Sequence, residues 1–424
     1  MAAIIMKRDR DALVMEVTIP LEANMLDGER CIEQALNEAG ALASGELLKQ
    51  FDTDGGAIQI GAQKYTSKGQ VEKTYQTPYG EARVARHVYQ SPKGGATFCP
   101  LENNARIINS ATPKLAKTLS HKYSKLSVDE VKADLQSNHG RGLSRGYIQK
   151  VSETVGVLAQ AKEEQWHYAT PQLEAAISTV SIGLDGTTIH LREQGYRETM
   201  VGTIALYDTD GERQHTTYIG ASPEYGKSTF IQRMEREIMH IKKLYPDALY
   251  IGVADGAADN WPFLNTHTTR QVTDFWHATE YLADAAEAIF STKKEWRKKK
   301  EWLDDRCHRL KHMKGAAGRI LKELKGNEQT IRSISRKEKL LKAISYFTNQ
   351  KSRMSYYSLV QEALPIGSGV TEAACKMIVK QRLCQSGMKW REKGASIILS
   401  LRTLERSKRW DQFWAKVSQY GVGC

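Results

Sequence analysis

The chain has 424 residues, too many for one ordinary core, so two or three domains are expected and at least one can bury a substantial interior. A formal net charge of +12, a pI near 9.2 and a mean hydropathy of −0.51 exclude a membrane-embedded chain. They describe a soluble protein with an acidic partner, of which nucleic acid is the commonest.

The opening residues, MAAIIMKRDRDALVMEV, alternate charge and apolarity too closely for a signal peptide or a bilayer span, and a cytoplasmic location is expected. Residues 1–110 read as an α+β module. A helix over ERCIEQALNEAGALASGELLKQF is followed by short alternating runs, punctuated by Gly and Pro, that suit hairpins. Residues 111–172 turn helical. Ser127 with Glu130 makes a capping-type start, Ser144 makes a second, and the turn NHGRG separates them. A helix-turn-helix that points Arg141, Arg145 and Lys150 at DNA fits this pattern, and so does a plain helical hairpin.

Residues 173–275 have the pattern of an α/β domain, which is expected to resume over 365–424. STVSIGLDG, ETMVGTIALYD and RQHTTYIGAS read as strands, with a turn at Gly211. Ile231, Met234, Ile238, Ile241 and Tyr245 recur at helical steps and Pro246 closes that helix. YIGVAD then reads as a buried strand, NWPFLNTHT as a short helix and RQVTDF as a strand. The order is three strands, a helix, a strand, a helix and a strand.

Residues 276–364 show no strand-like run and read as a basic, all-helical insertion. Residues 292–345 hold eighteen Lys or Arg against seven Asp or Glu, so nearly all of the chain's excess charge sits there. Six scattered cysteines without a C-x-x-C pair exclude a disulfide framework and a cysteine zinc site. His308 and His312, in CHRLKH, read as surface histidines in basic surroundings.

The acids at the strand ends carry the chemistry. Asp185 in SIGLDGT and Asp255 in YIGVADGA each follow an apolar run and precede a glycine, where a strand is expected to leave the core. Either alone suits a turn or a helix cap. Two on strands of one sheet repel unless a cation lies between them, and a pair of Mg²⁺ or Mn²⁺ ions, as used in phosphodiester chemistry, answers that need. Glu372, in GSGVTEAACK, is the best third acid, although a first-turn Glu also suits the helix dipole alone.

GLDGT, ADGAADNW, DFWHATEYL and GSGVTEAACK, taken together with the helical segment before the last, resemble the DDE transposases of bacterial insertion sequences, in particular the ISKra-type group. The resemblance runs from about Pro78 to the end and includes TPYGEARVARHVYQS, CPLENNARI, SPEYGK and RWDQFWAKV. It implies an RNase H-like catalytic domain with Asp185, Asp255 and Glu372 as catalytic, metal-binding residues for two Mg²⁺ or Mn²⁺ ions. Asp185 and Asp255 are 70 residues apart, but Asp255 and Glu372 are 117 apart, and the basic insertion accounts for the surplus. Asp274 and His277 match a D-x-x-H signature of insertion-bearing transposases and are expected to order the site.

Within the insertion, Lys293, Lys294, Arg297, Lys298, Lys299 and Lys300 are expected to contact phosphates. Trp296 and Trp302 are expected either to stack on an unpaired base or to anchor the core. The implied partners are double-stranded DNA, as terminal inverted repeats and target, and further copies of the chain, at least a dimer on DNA. The bacterial nucleoid is the expected place of action. IGASPEYGKSTF imitates a P-loop, but five residues separate Gly220 from Gly226 and Pro223 removes a donor, so an ATPase is the weaker alternative. A domesticated, inactive transposase that only binds DNA is the other.

Overall fold

A computed structural model describes residues 2–9, 11–163, 165–222, 228–290 and 293–420, without the side chains of Lys293, Gln419 and Tyr420. Of the P-loop-like stretch IGASPEYGKSTF, residues 223–227 lie outside the described residues. The chain divides into two compact units, Met1–Ala169 with Ser400–Cys424, and Thr170–Leu399. Among the described residues no helix is long and apolar enough to cross a membrane.

The first unit begins with the antiparallel pair β1 (Ala3–Arg8) and β2 (Leu13–Val17), then the helix α1 (Met25–Lys49). β3 (Ile58–Ile60), β4 (Gln63–Gln76) and β5 (Glu81–Gln90) form a three-stranded antiparallel sheet. α1 packs on this sheet at Gly45, beside Ala82 and Val84 of β5. Then follow α2 (Pro100–Asn104), α3 (Pro113–Lys125), α4 (Val128–His139) and α5 (Arg145–Glu163). Ser127 and Glu130 form a reciprocal capping box on α4, which ends at Gly140 in the left-handed region. Leu115, Leu119, Ile148, Val151 and Val155 are buried in this helical part.

The second unit opens with β6 (Ile177–Leu191), β7 (Gly195–Asp208) and β8 (Arg213–Ala221), which are paired antiparallel in sequence. The helix α6 (Ser228–Leu244) leads to β9 (Leu249–Ala254), and α7 (Asn260–His267) leads to β10 (Arg270–Thr273). β9 lies parallel to β6 and β10 parallel to β9, giving one mixed sheet in the order β10-β9-β6-β7-β8. The order of elements matches the one read along the chain.

The sheet has two different faces because strand side chains alternate. Val180, Ile182 and Leu184 of β6 pack with Phe230, Met234, Ile238 and Ile241 of α6 in one apolar core. The opposite face of β6 carries the other parity, Ser181, Gly183 and Asp185.

After β10 the chain is helical: α8 (Phe275–Ile289), α9 (Trp296–His312), α10 (Ala316–Asn327), α11 (Ile334–Gln350) and α12 (Tyr356–Gln361). Ile251, Val253 and Val272 of the strands belong to the same buried cluster as Trp302, Leu324 and Phe347. The basic segment therefore shares a core with the sheet. α13 (Gly369–Ala374), a π-helical stretch at Cys375–Lys380 and α14 (Gln381–Leu383) then run on as one helical segment, followed by α15 (Glu392–Arg406) and α16 (Trp410–Tyr420).

Two expectations are corrected. Asp185 is not at the end of its strand, because the β-branched run after it keeps pairing with β7 as far as Leu191. Residues 400–424 group with the first unit rather than with the strands of 173–275. The reason is aromatic: Trp410 meets His121 with ring centroids 5.4 Å apart, and Phe413 meets Trp166 at 5.8 Å.

Candidate active site

The parallel ladder of β6 and β9 ends at the pair Gly183 and Val253. Two residues further along the chain stand Asp185, still within β6, and Asp255, one residue past the end of β9. Asp185 shares a face of β6 with Gly183, and both acids lie just past the end of the ladder, whose strands are about 4.8 Å apart. Both are partly buried.

α13 is seated on that face because Gly183 has no side chain. A Cβ there would lie 2.0 Å from Thr371 Oγ1, and Thr371 instead shares a 2.7 Å hydrogen bond with Thr203 of β7. Thr371 is buried while its neighbour Glu372 is exposed. One turn on, the Cys375 thiol donates to Asp185 Oδ2 at 3.3 Å, and the amide of Gly186 donates to Asp185 Oδ1 at 2.7 Å. Burial first, and the Asp185 charge second, push the Cys375 thiol far above its ordinary range, so it stays a protonated donor. Glu372 and Cys375 lie three residues apart on one helical segment, so Glu372 shares the side of the segment that meets Asp185.

Asp274 ties the start of α13 to the sheet. It is fully buried, caps α8 by accepting from the His277 amide at 2.8 Å, and accepts from the Ser368 amide with its other oxygen. Ser368 in turn donates its hydroxyl to Glu372 Oε1 at 2.8 Å. His277 Nε2 stands 3.8 Å from the same oxygen, and its Nδ1 stands 3.2 Å from Glu280. The D-x-x-H pair thus divides its work: Asp274 holds backbone, and His277 faces the acid. Asp255 Oδ1 accepts from the Ala257 amide at 2.9 Å. Asp259 occupies the cap position of α7 without a side-chain bond to it.

Asp185, Asp255 and Glu372 offer the hard oxygen donors that Mg²⁺ or Mn²⁺ prefers, each with lone pairs left after the bonds above. Among the described residues, however, no three His, Cys, Asp or Glu side chains already stand close enough to hold a metal ion together. The Glu372 carboxylate is turned to Ser368 and His277.

The residues read as DNA contacts are divided by their surroundings. Lys294, Trp296, Arg297, Lys298 and Lys300 are exposed, with Arg297 5.4 Å from the Trp296 ring. Lys299 pairs with Glu287 at 3.2 Å. The side chain of Lys293 lies outside the described residues. Trp302 departs from the stacking expectation: it is buried, and its indole donates to Glu323 at 2.9 Å. In the first unit, Arg145 pairs with Asp129 and Lys150 is exposed, while Arg141 is partly buried and donates to Gln76. His308 and His312 are exposed neighbours. Cys375 and Ser368 escaped sequence reasoning; only the short spacing of each from Glu372 on a helix could have flagged them.

Residues 264–396 match the family described as the transposase IS66 family. The stretch contains Asp274, His277 and Glu372 but neither Asp185 nor Asp255. It supports a transposase of an insertion sequence, by likeness to a family other than the ISKra-type group. No curated protein matches the chain.

Proposed function

We propose that the chain is a DDE transposase that cleaves the DNA ends of an insertion sequence and joins the freed 3′-hydroxyl to target DNA. The observation that carries this reading is the register of β6 and β9, which sets Asp185 and Asp255 two residues beyond one backbone pair. The order and sense of the five strands support an RNase H-like domain, and the family likeness over 264–396 supports the transposase role. Motif similarity alone supports the narrower ISKra-type grouping.

In this reading Asp185 and Asp255 present carboxylate oxygens from neighbouring strands and Glu372 supplies the third from α13. Mg²⁺ or Mn²⁺ held there would activate the attacking oxygen and stabilise the leaving one. Cys375 and the Gly186 amide restrain Asp185, and Asp274 fixes the loop before α13. His277 holds Glu372 in place until its carboxylate swings toward the two aspartates. The exposed cations of α9 bind phosphates without reading sequence, and Trp296, exposed beside them, is the candidate to stack on a base. Copies of the chain pair on DNA, since two element ends must meet, and the setting is the cytoplasm, on the nucleoid.

The test is cleavage and strand transfer on labelled element-end DNA with Mg²⁺ or Mn²⁺. Asp185→Ala, Asp255→Ala and Glu372→Ala should each lose about 10²–10³-fold or more in rate while still binding the DNA. Retained cleavage in any of the three would remove that residue from the triad. A wild-type chain that binds ends and never cuts them would instead be a DNA-binding protein derived from a transposase.

A further inference from the structure

Asp255 leaves β9 and the chain turns at once through Gly256, whose φ of +113° suits glycine alone. With the strand finished, the carbonyls of Asp255 and Gly256 have no sheet partner. Both are taken by α11, from about ninety residues later. Tyr346 donates its hydroxyl to the Asp255 carbonyl at 2.7 Å, and Gln350 donates its amide to the Gly256 carbonyl at 3.0 Å. The two side chains are four residues apart and so share a helix face.

Each donor is itself held. Tyr346 stacks on Tyr281 of α8 with ring centroids 3.9 Å apart, and burial keeps its hydroxyl protonated. Gln350 is buried, and its oxygen accepts from Thr273 Oγ1 at 3.3 Å and from Arg353 at 3.2 Å. A Cβ on Gly256 would lie 2.8 Å from the Tyr346 ring, so the turn and the ring are in direct contact.

We infer that Tyr346 and Gln350 are positioning residues that clamp the turn aiming the Asp255 carboxylate, so that the basic helical segment sets the geometry of the metal site. Two consecutive carbonyls fixed by one helix face leave the turn little freedom, whereas the Asx-type bond to Ala257 moves with it. The inference rests on Asp255 being a metal ligand, as proposed above.

The test uses the full chain, calorimetric titration with MnCl₂, and Mn²⁺-dependent nicking of supercoiled plasmid. Tyr346→Phe removes one hydroxyl and should raise the Mn²⁺ dissociation constant about 3- to 10-fold. Saturating Mn²⁺ should restore the wild-type nicking rate, a split that simple loss of structure does not produce. Gln350→Met, nearly isosteric, should act in the same direction and stands in if Tyr346→Phe folds poorly. Wild-type Mn²⁺ affinity in both, with Asp255→Asn clearly weakened, overturns the clamp alone. So does a rate loss that saturating Mn²⁺ fails to restore. Unchanged affinity in Asp255→Asn overturns the reading of Asp255 as a ligand and the clamp with it.

Discussion

Asp274 is the side chain on which most of the site's framework converges. Its two oxygens satisfy one amide at the start of α8 and another ahead of α13, in surroundings closed to water. Asp274→Ala removes a helix cap and strands both N–H groups, which together cost roughly 2–4 kcal/mol. Asp274→Asn keeps one acceptor and should cost less. Urea unfolding of the three proteins checks this, and a loss below about 0.5 kcal/mol for the alanine variant would mean that the amides find other partners. Asp274 drew notice only through the family resemblance of D-x-x-H, and the amides it accepts from were not foreseen. Cys375 was not legible, since its bond to Asp185 spans 190 residues and no local pattern encodes it. The two tryptophans of the basic segment looked alike in sequence. Six residues of helix turn them about 120° apart, so one faces solvent and the other the core.

At the scale of elements, the seating of α13 on the sheet depends on the missing side chain at Gly183. Gly183→Ala drives a methyl into the Thr371 hydroxyl and must push α13 away from β6. Overpacking of this kind costs about 1–3 kcal/mol. Because Glu372 follows Thr371 directly, the variant should also lose end cleavage in proportion beyond its loss of stability. Thermal melting beside cleavage rates measures both, and a fully active, fully stable Gly183→Ala chain would contradict this packing. Element types and order were readable from apolar periodicity over β6 to β10, including α6 with its steps of three and four. The capping box of α4 was readable too, but the β1–β2 pair ahead of α1 was not. The length of β6 was not. LDGTT looks like a strand end, yet hairpin pairing with β7 carries β6 six residues past Asp185. The clamp by α11 was equally invisible, since Tyr346 and Gln350 fit an ordinary helix face and their carbonyl partners are set by tertiary packing.

At the scale of the whole molecule, charge was legible as quantity but not as arrangement. The basic segment stood out by composition, while its burial against β9 and β10 depends on Leu324, Phe347 and other apolar residues spread thinly among lysines. Likewise RWDQFWAKV looked like the end of the domain that precedes it, and its aromatic rings instead complete the core of the first unit. The proposed function requires the carboxylates of Asp185 and Asp255 to share a metal where β6 and β9 run side by side. Crystals grown with saturating MnCl₂ and measured at the manganese absorption edge test it directly. An anomalous peak is expected in contact with both carboxylates, at about 2.0–2.2 Å from oxygen. A well-ordered sheet with no peak at that pair, or with manganese bound only elsewhere, would contradict it.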